Sequence, residues 1–235
     1  MGSKSCRVGQ GSSFWAGTAI NAKNKLMYID LNILENGKLL PLVEEFYTLQ
    51  GEGFHTGKAA YFIRIGGCDV GCQWCDAKFT WNPADFKPIR VEAITENIVL
   101  TGANAVVVTG GEPSLYPLDY LTGLLKQRGI DTFVETSGAY PLTGHWDWIC
   151  LSPKPQQPPI DGIHLKADEL KVIIEKPEDI LWAEENAKRV KSTCKLYLQP
   201  EWSHYNEIIP HLVEYVKANP KWQVSLQAHK FMRIP

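Results

Sequence analysis

The chain has 235 residues, of which 44% are apolar, and this length and composition suit one large domain with a substantial core. Its 24 basic and 26 acidic residues give a formal net charge of −2, which excludes a general attraction to nucleic acid or to an anionic membrane and favours a small-molecule partner. No apolar run approaches the roughly 20 residues that cross a bilayer, and residues 1–30 lack a secretory signal, so we expect a cytoplasmic protein.

The first 26 residues differ in composition from the rest. They are rich in Gly, Ser and Asn, contain no acidic residue and show neither a helical nor a strand period. We expect a flexible leader at 1–26, or an extension upstream of a natural start at Met27, followed by a single domain at 27–235. A transit peptide is a weaker alternative, because Arg7 is the only arginine of the segment.

From Ala60 onward, β-rich runs alternate with helical patterns. Strands are predicted at 61–65, 105–108, 132–134, 148–151, 170–174, 195–198 and 223–226. Apolar residues at three- and four-residue spacing predict helices at 91–100, 118–128, 177–190 and 206–218, with Pro177 in the first turn of the third. Strands separated by helices predict an α/β fold with a parallel sheet, and their number favours an incomplete parallel β/α barrel as much as an open sheet.

Polar segments follow five of the predicted strands. They are 109–113 (TGGEP), 135–138 (ETSG), 152–154 (SPK), 199–200 (QP) and 227–230 (QAHK). Each could be an ordinary turn, but all five fall at the carboxyl ends of strands, where parallel barrels bind their ligands. Their coincidence predicts a binding site on that rim.

Three of the six cysteines, Cys68, Cys72 and Cys75, fall within eight positions. This clustering argues against a secreted disulfide framework and for a metal or catalytic site, while Cys6, Cys150 and Cys194 are interpreted as ordinary thiols. Nearby glycines let the loop curl and direct three thiolates to one place. Three soft ligands suit an iron-sulfur cluster or zinc, but a structural zinc site requires four ligands, and no second Cys-x-x-Cys pair supplies the fourth.

A 4Fe-4S cluster held by three cysteines leaves one iron open for S-adenosylmethionine (SAM). The spacing of three residues and then two resembles that of the radical SAM superfamily, and Trp74 stands at the aromatic position common before its third cysteine. The GGEP segment at 110–113 resembles the superfamily segment that approaches the SAM amino group, where glycine permits close backbone contact and Glu112 can accept from an ammonium. Zinc and a plain electron-transfer cluster remain alternatives.

Beyond the superfamily, the chain from Glu44 to Pro235 resembles the 7-carboxy-7-deazaguanine synthase family. The segments that carry this resemblance are 46–53 (FYTLQGEG), 62–68 (FIRIGGC), 72–76 (CQWCD), the first four rim segments and 229–235. Related activating enzymes share the QGEG stretch, so the chain end is more specific. In the family a terminal proline places its carboxylate in the substrate pocket, with a histidine six positions earlier, and Pro235 and His229 match this pattern.

The resemblance implies a carbon-nitrogen lyase of queuosine (7-deazapurine) biosynthesis that converts 6-carboxy-5,6,7,8-tetrahydropterin to 7-carboxy-7-deazaguanine. The 5′-deoxyadenosyl radical from SAM removes the hydrogen at C6, the ring contracts and ammonia leaves. The substrate needs acceptors for its amino groups and a cation for its carboxylate. The implied substrate-binding residues are Leu49, Gln50, Gly51, Glu52, Arg64, Thr109, Glu135, His229 and the carboxylate of Pro235.

Arg64 lies within an apolar strand, which disfavours a surface ion pair, whereas a structural role for His229 remains open. The implied SAM-binding residues are Trp74, Cys75, Asp76, Gly111, Glu112, Ser152, Pro153, Lys154, Gln199 and Pro200, with Cys68, Cys72 and Cys75 on the cluster. No residue is assigned as a general base. The likeness also implies a homodimer and an electron donor such as a flavodoxin or ferredoxin.

One position departs from the family pattern. The family commonly has threonine or serine after the Cys-Asp pair, where its hydroxyl and the substrate carboxylate bind a magnesium ion; here the residue is Ala77. Mg²⁺ retains waters readily and could bind through substrate and water, but the side-chain ligand is missing. Lys78 and Thr80 follow it closely in the chain, but neither is assigned as a substitute ligand.

Two other function classes compete with this interpretation. A radical SAM activating enzyme acting on a glycyl-radical protein partner shares the cluster, but the terminal Pro235 and the combination of Arg64 with Gln50 and Glu52 favour a small polar heterocycle. An iron-sulfur electron carrier or zinc-stabilised binding module would not need five polar segments on one rim.

Overall fold

The computed structural model describes residues 34–235 and the backbone of two short strands before them, β1 (Ala19–Ile20) and β2 (Met27–Tyr28), which pair antiparallel. The rest of the predicted leader, with Cys6, lies outside the described residues. Within the described part of the chain, no helix is long and apolar enough to cross a bilayer.

Nine strands form the main sheet. They are β3 (Leu39–Leu49), β4 (Ala59–Ile65), β5 (Pro88–Arg90), β6 (Ala105–Gly110), β7 (Asp131–Thr136), β8 (Trp148–Leu151), β9 (Glu169–Ile174), β10 (Lys195–Pro200) and β11 (Trp222–Val224). Their order is β11-β10-β9-β8-β7-β6-β4-β3-β5. The seven strands from β4 to β11 in this order are parallel, which confirms the predicted parallel sheet, and the order leaves the sheet unclosed, as in an incomplete barrel.

The antiparallel edge of the sheet was not predicted. β3 pairs antiparallel with both β4 and β5. Its side chains are mostly half-buried on both faces, so it lacks the clean alternation by which a strand is recognised in a sequence. β5 has three residues and begins with Pro88, which fits an edge strand because proline has no N–H for a ladder hydrogen bond.

Six helices accompany the strands: α1 (Val91–Thr101), α2 (Asp119–Lys126), α3 (Ile163–Lys166), α4 (Asp179–Ala187), α5 (Tyr205–Ala218) and α6 (Ala228–Met232). The four predicted helices are confirmed with bounds shifted by a few residues. The placement of Pro177 inside a helix is wrong, because α4 begins at Asp179. The Asp179 carboxylate accepts hydrogen bonds from the backbone N–H groups of Glu175 and Lys176, and these bonds hold residues 175–178 in a turn.

Alternation along the strands separates two faces of the sheet. On β4, Ile63 and Ile65 are fully buried against α1 and α2, while Phe62 faces the concave side. Fully burying each such isoleucine stabilises the fold by roughly 1.5–3 kcal/mol. On β9, Leu170 and Val172 likewise pack outward in a second core with α4 and α5. Residues at the intervening positions therefore point into the barrel.

The loop between β3 and β4 crosses the open side of the barrel. The backbone N–H of Gly53 donates to Oγ of Ser225 at 2.9 Å, and the N–H of Ala228 donates to the carbonyl of Gly51 at 2.8 Å. A Cβ atom on Gly51 would lie 2.3 Å from Nδ1 of His229, so this crossing requires glycine. The loop thereby brings residues 49–52 next to the chain terminus.

Candidate active site

One cavity of about 460 Å³ opens at the carboxyl ends of the parallel strands, and all five predicted rim segments line it. Its lining includes Cys68, Cys72, Trp74, Cys75, Asp76, Gly111, Glu112, Ser152, Lys154, Gln199 and Pro200 from the predicted metal and SAM sets. It also includes Leu49, Gln50, Gly51, Glu52, Arg64, Thr109, Glu135, His229 and Pro235 from the predicted substrate set. Pro153 alone of the predicted residues is not in the lining; its carbonyl accepts a hydrogen bond from Nε1 of Trp182 at 3.3 Å.

The three cysteines lie in the loop that leaves β4. Backbone hydrogen bonds fix the start of this loop, with Gly67 N–H donating to Thr80 O at 2.6 Å and Cys68 N–H to Trp81 O at 3.0 Å. Gly67 has a φ of +104°, which glycine adopts without strain. The cysteines pack together with Val70, Trp74, Ala139 and Tyr140 and are free thiols, as are Cys150 and Cys194.

The donor set fits an iron-sulfur cluster. Three thiol sulfurs line one cavity among apolar side chains, and thiolate is the ligand that such clusters use. Burial raises the pKa of the Cys68 thiol to about 12 and also raises that of Cys72, so binding as thiolates requires a cationic metal centre beside them. Across residues 34–235, no three or more His, Cys, Asp and Glu side chains lie in an arrangement that could hold a single metal ion.

Glu112 ties the ends of two strands together. It is 2% exposed, and Oε1 accepts from the N–H and hydroxyl of Ser114 at 3.0 and 2.7 Å and from Thr136 Oγ1 at 2.5 Å. Oε2 accepts from the N–H of Ser137 at 2.8 Å and from its hydroxyl. Five donors therefore compete with any ligand ammonium for this carboxylate. The nearby backbone is equally confined, because a Cβ on Gly111 would lie 2.1 Å from the carbonyl oxygen of Gly67.

The third and fourth rim segments supply buried polar groups. Nζ of Lys154 donates to the carbonyl and hydroxyl oxygens of Ser152, both at 2.6 Å, and lies 5.6 Å from the centre of the Trp74 ring. Burial lowers the pKa of Lys154. Gln199 is 2% exposed, and its Oε1 accepts from Ser225 Oγ at 2.7 Å.

A ring of hydrogen bonds joins the β3–β4 loop to β7 and β9. Nε2 of Gln50 donates to Glu135 Oε1 at 3.1 Å, and Oε1 of Gln50 accepts from the N–H of Glu52 at 3.1 Å. Lys171 closes the ring by donating to Oε2 of Glu52 and, at 3.2 Å, to Oε2 of Glu135. Gln227 Nε2 donates to the other oxygen of Glu52 at 3.0 Å.

Lys171 is the main site residue that the sequence analysis missed. The signal was present, because a lysine between Leu170 and Val172 interrupts an apolar strand in the same way as Arg64 does. Further lining residues outside both the predicted rim segments and the predicted site residues are Phe46, Phe62, Val70, Phe79, Ile173, Glu201 and Trp202. The aromatic and aliphatic residues among them carry no sequence signal that separates them from core residues.

The chain end folds back over the β3–β4 loop. His229 and Pro235 line the cavity beside Gly51, and burial lowers the pKa of the His229 imidazole. Nζ of Lys230 donates to Asp76 Oδ2 at 3.0 Å, which links the terminal segment to the cysteine loop. The two segments are 154 positions apart in the sequence and meet at the same cavity.

Ala77 lines the cavity, and its side chain is a methyl group that offers no oxygen to a magnesium ion. The hydroxyl of Thr80 is directed away from such a role, because it donates to the Ala77 carbonyl at 2.8 Å and the residue is fully buried. Lys78 is exposed and is not among the lining residues. Neither residue offers a substitute ligand in this arrangement.

Comparison with known proteins gives concordant results. The profile of the Radical SAM superfamily matches residues 62–150. The 7-carboxy-7-deazaguanine synthase of Flavobacterium psychrophilum is 54% identical over 202 residues, which cover 86% of this chain and 96% of the relative. The 7-carboxy-7-deazaguanine synthase of Synechocystis sp. is 44% identical over 194 residues, which cover 83% of this chain and 93% of the relative. The crystal structure of QueE from Escherichia coli superposes with a TM-score of 0.74 at 30% identity, covering 85% of this chain and 99% of that chain.

Proposed function

Because the chain belongs to the 7-carboxy-7-deazaguanine synthase family of radical SAM enzymes, we propose that its cavity binds a 4Fe-4S cluster, SAM and 6-carboxy-5,6,7,8-tetrahydropterin together. The chain is a 7-carboxy-7-deazaguanine synthase of queuosine biosynthesis, and its fold is the radical SAM partial barrel. The cavity of about 460 Å³ lies within the range of roughly 300–1,000 Å³ typical of small-molecule sites.

Cys68, Cys72 and Cys75 would hold the cluster. When bound, the cluster and SAM would together supply the radical that abstracts the C6 hydrogen of the pterin. Backbone at Gly111, whose N–H donates to the carbonyl of Ile65 at 2.8 Å, would approach the SAM amino group beside the saturated carboxylate of Glu112. The remaining SAM contacts are assigned to Trp74, Asp76, Ser152, Lys154, Gln199 and Pro200; Pro153 keeps only a role in shaping its loop.

The pterin would lie over the ring formed by Gln50, Glu52, Glu135 and Lys171. The two carboxylates would provide the acceptors that an amidine edge needs, beside Pro235 and the backbone of Leu49 and Gly51. Arg64 supplies the cation for the substrate carboxylate, and a guanidinium can do so with two parallel hydrogen bonds. Thr109, which pairs with Arg64 in the sheet register, and His229 would complete the pocket.

One observation carries this proposal: the three cysteines, Arg64 and Pro235 line a single cavity. The test is an anaerobic assay of reconstituted protein with dithionite, SAM and the carboxypterin. We expect 7-carboxy-7-deazaguanine and 5′-deoxyadenosine to form together. 5′-Deoxyadenosine without the deazapurine would contradict the substrate assignment, and a pterin lacking the 6-carboxylate serves as the matched control.

Magnesium is proposed to bind only through substrate and water, since Ala77 provides no ligand oxygen. Repeating the assay with a chelator, and with the variant Ala77→Thr, tests this. We expect the wild-type rate to depend on Mg²⁺ less than the rate of the variant, in which a hydroxyl returns to the cavity. Equal dependence in the two proteins would contradict the proposal.

We further propose a single domain at 27–235, a cytoplasmic location, a homodimer and reduction by a flavodoxin or ferredoxin. Strands β3 to β11 share one sheet, which supports the single domain. The five cysteines in the described part of the chain are all free thiols, as suits a reducing compartment. Sedimentation and turnover with each reduced donor protein test the last two proposals.

A further inference from the structure

Lys171 has a buried positive charge, and no direct contact with substrate or SAM is assigned to it. Its side chain is 3% exposed, and those of Glu52 and Glu135 are 15% and 24% exposed. A lysine ammonium is rarely buried unless it is paired. Here it is paired with two carboxylates, both of which are assigned to the pterin under the proposed function.

We propose that Lys171 is a positioning residue that orients Glu52 and Glu135 as a pair of acceptors for the pterin and keeps Glu52 ionised, while itself making no contact with the reacting atoms. The inference rests on the proposed function. The geometry supports it, since Oε2 of each carboxylate accepts a hydrogen bond from Lys171. Oε1 of Glu52 accepts from the Gln227 amide, and Oε1 of Glu135 accepts from the Gln50 amide. The remaining lone pairs of the two carboxylates are left for a ligand.

The charges explain why a cation is needed at this point. Two carboxylates that share a buried site repel each other, and without a counter-ion one of them takes up a proton and stops accepting hydrogen bonds there. Burial by itself raises the pKa of the Glu52 carboxyl, but the charge of Lys171 and hydrogen bonds from it and two glutamines hold that pKa at about 2. Burial by itself lowers the pKa of Lys171, but Glu135 and Glu52 raise it well above its usual value.

The other charged and titratable groups around Lys171 come from its own strand and from three further parts of the chain. They are Cys150 on β8, Glu169 on β9, Lys154 after β8 and His229 at the chain end. Cys150 is a neutral thiol because burial raises its pKa, and burial also raises the pKa of Glu169. Among residues 34–235, Lys171 is thus the cation that contacts both Glu52 and Glu135.

The test compares Lys171→Met with Lys171→Arg and with the control Lys217→Met, which removes an exposed lysine of α5. For Lys171→Met we expect kcat/KM for the pterin to fall by roughly 100-fold at the acid end of a series from about pH 6 to about pH 9, and to recover partly as pH rises. Lys171→Arg keeps the charge, so its smaller loss should not vary with pH. 5′-Deoxyadenosine formation without pterin should be unchanged in the control Lys217→Met.

A loss that is equal at every pH and equal in the Met and Arg variants would show a purely steric role and overturn the inference, as would wild-type kinetics in Lys171→Met. Since Lys171→Met leaves two buried carboxylates without a cation and could fold poorly, the double variant Lys171→Met/Glu52→Gln removes one negative charge as well. It should fold and show a pH-independent loss; a pH-dependent loss in it would overturn the inference. If the wild-type enzyme made no 7-carboxy-7-deazaguanine, the substrate assignment would fail instead.

Discussion

Glu44 and Arg64 lie directly opposite each other in the antiparallel pairing of β3 with β4, and Nε of Arg64 donates to Oε1 of Glu44 at 2.6 Å. The bond uses the inner nitrogen of the guanidinium and leaves its two outer nitrogens for another partner. The side chain of Arg64 is 24% exposed and lines the cavity, whereas that of Glu44 is 45% exposed. The unpredicted strand β3 therefore orients a predicted site residue, through a part-exposed ion pair that the sequence analysis disfavoured for Arg64.

We expect Arg64→Lys to raise KM for the pterin by roughly 10-fold or more, because an ammonium cannot make the paired hydrogen bonds that a guanidinium makes to a carboxylate. Glu44→Gln should raise KM by less than about fivefold, since a half-exposed ion pair contributes only about 0–1 kcal/mol. Initial rates at varied pterin concentration measure both. A larger effect from Glu44→Gln than from Arg64→Lys would contradict the assignment of Arg64.

Replacing Cys72 by alanine should prevent cluster assembly and abolish both products, because two thiolates remain where three are needed. Iron and sulfide content and the visible absorbance of reconstituted protein measure this directly. The matched control is Cys194→Ala, a buried free thiol that does not line the cavity, and it should retain the cluster. Normal iron content in the Cys72 variant would show that the three cysteines are not the ligands.

Glu112→Gln should lower the free energy of unfolding by about 1–3 kcal/mol, because an NH₂ group replaces an oxygen that faces buried hydrogen-bond donors. Urea unfolding of the apo protein measures the change without any cofactor. The control Glu214→Gln alters an exposed glutamate of α5 and should be nearly neutral. Unchanged stability of the Glu112 variant would mean that the five donors are not essential to this part of the fold.

The stability of the protein should fall at low pH through Glu52. Its pKa is about 2 in the folded protein, against an ordinary 4.5, so this carboxylate stabilises the fold fully above about pH 4.5. As pH falls from there towards 2, the unfolded chain binds a proton that the folded chain does not, and stability is lost by up to about 1.4 kcal/mol per pH unit. Chemical denaturation at several pH values measures the slope, which should be shallower in Glu52→Gln. Parallel slopes for the two proteins would refute the assigned cause.

Much of the site was predictable because its groups are close in sequence or recur at strand ends. The triad of Cys68, Cys72 and Cys75 is a local pattern, and the rim segments follow strands whose apolar runs are easily recognised. The departure from the family pattern at Ala77 is likewise visible in one position. Pro153 could not be separated from its neighbours in this way. Ser152 and Lys154 line the cavity, whereas the carbonyl of Pro153 accepts a hydrogen bond from Trp182.

The sequence by itself determined the cluster of three cysteines, the parallel α/β architecture and the family, because these depend on spacing and on alternation along single strands. Only the tertiary structure decided that the β3–β4 loop crosses the barrel to Ser225, 172 positions away, and that Lys171 holds two carboxylates from different elements. It also decided that Glu112 is saturated by five donors. Such contacts join residues far apart in the chain, so no local pattern encodes them, and they form only when the strands assemble around one cavity.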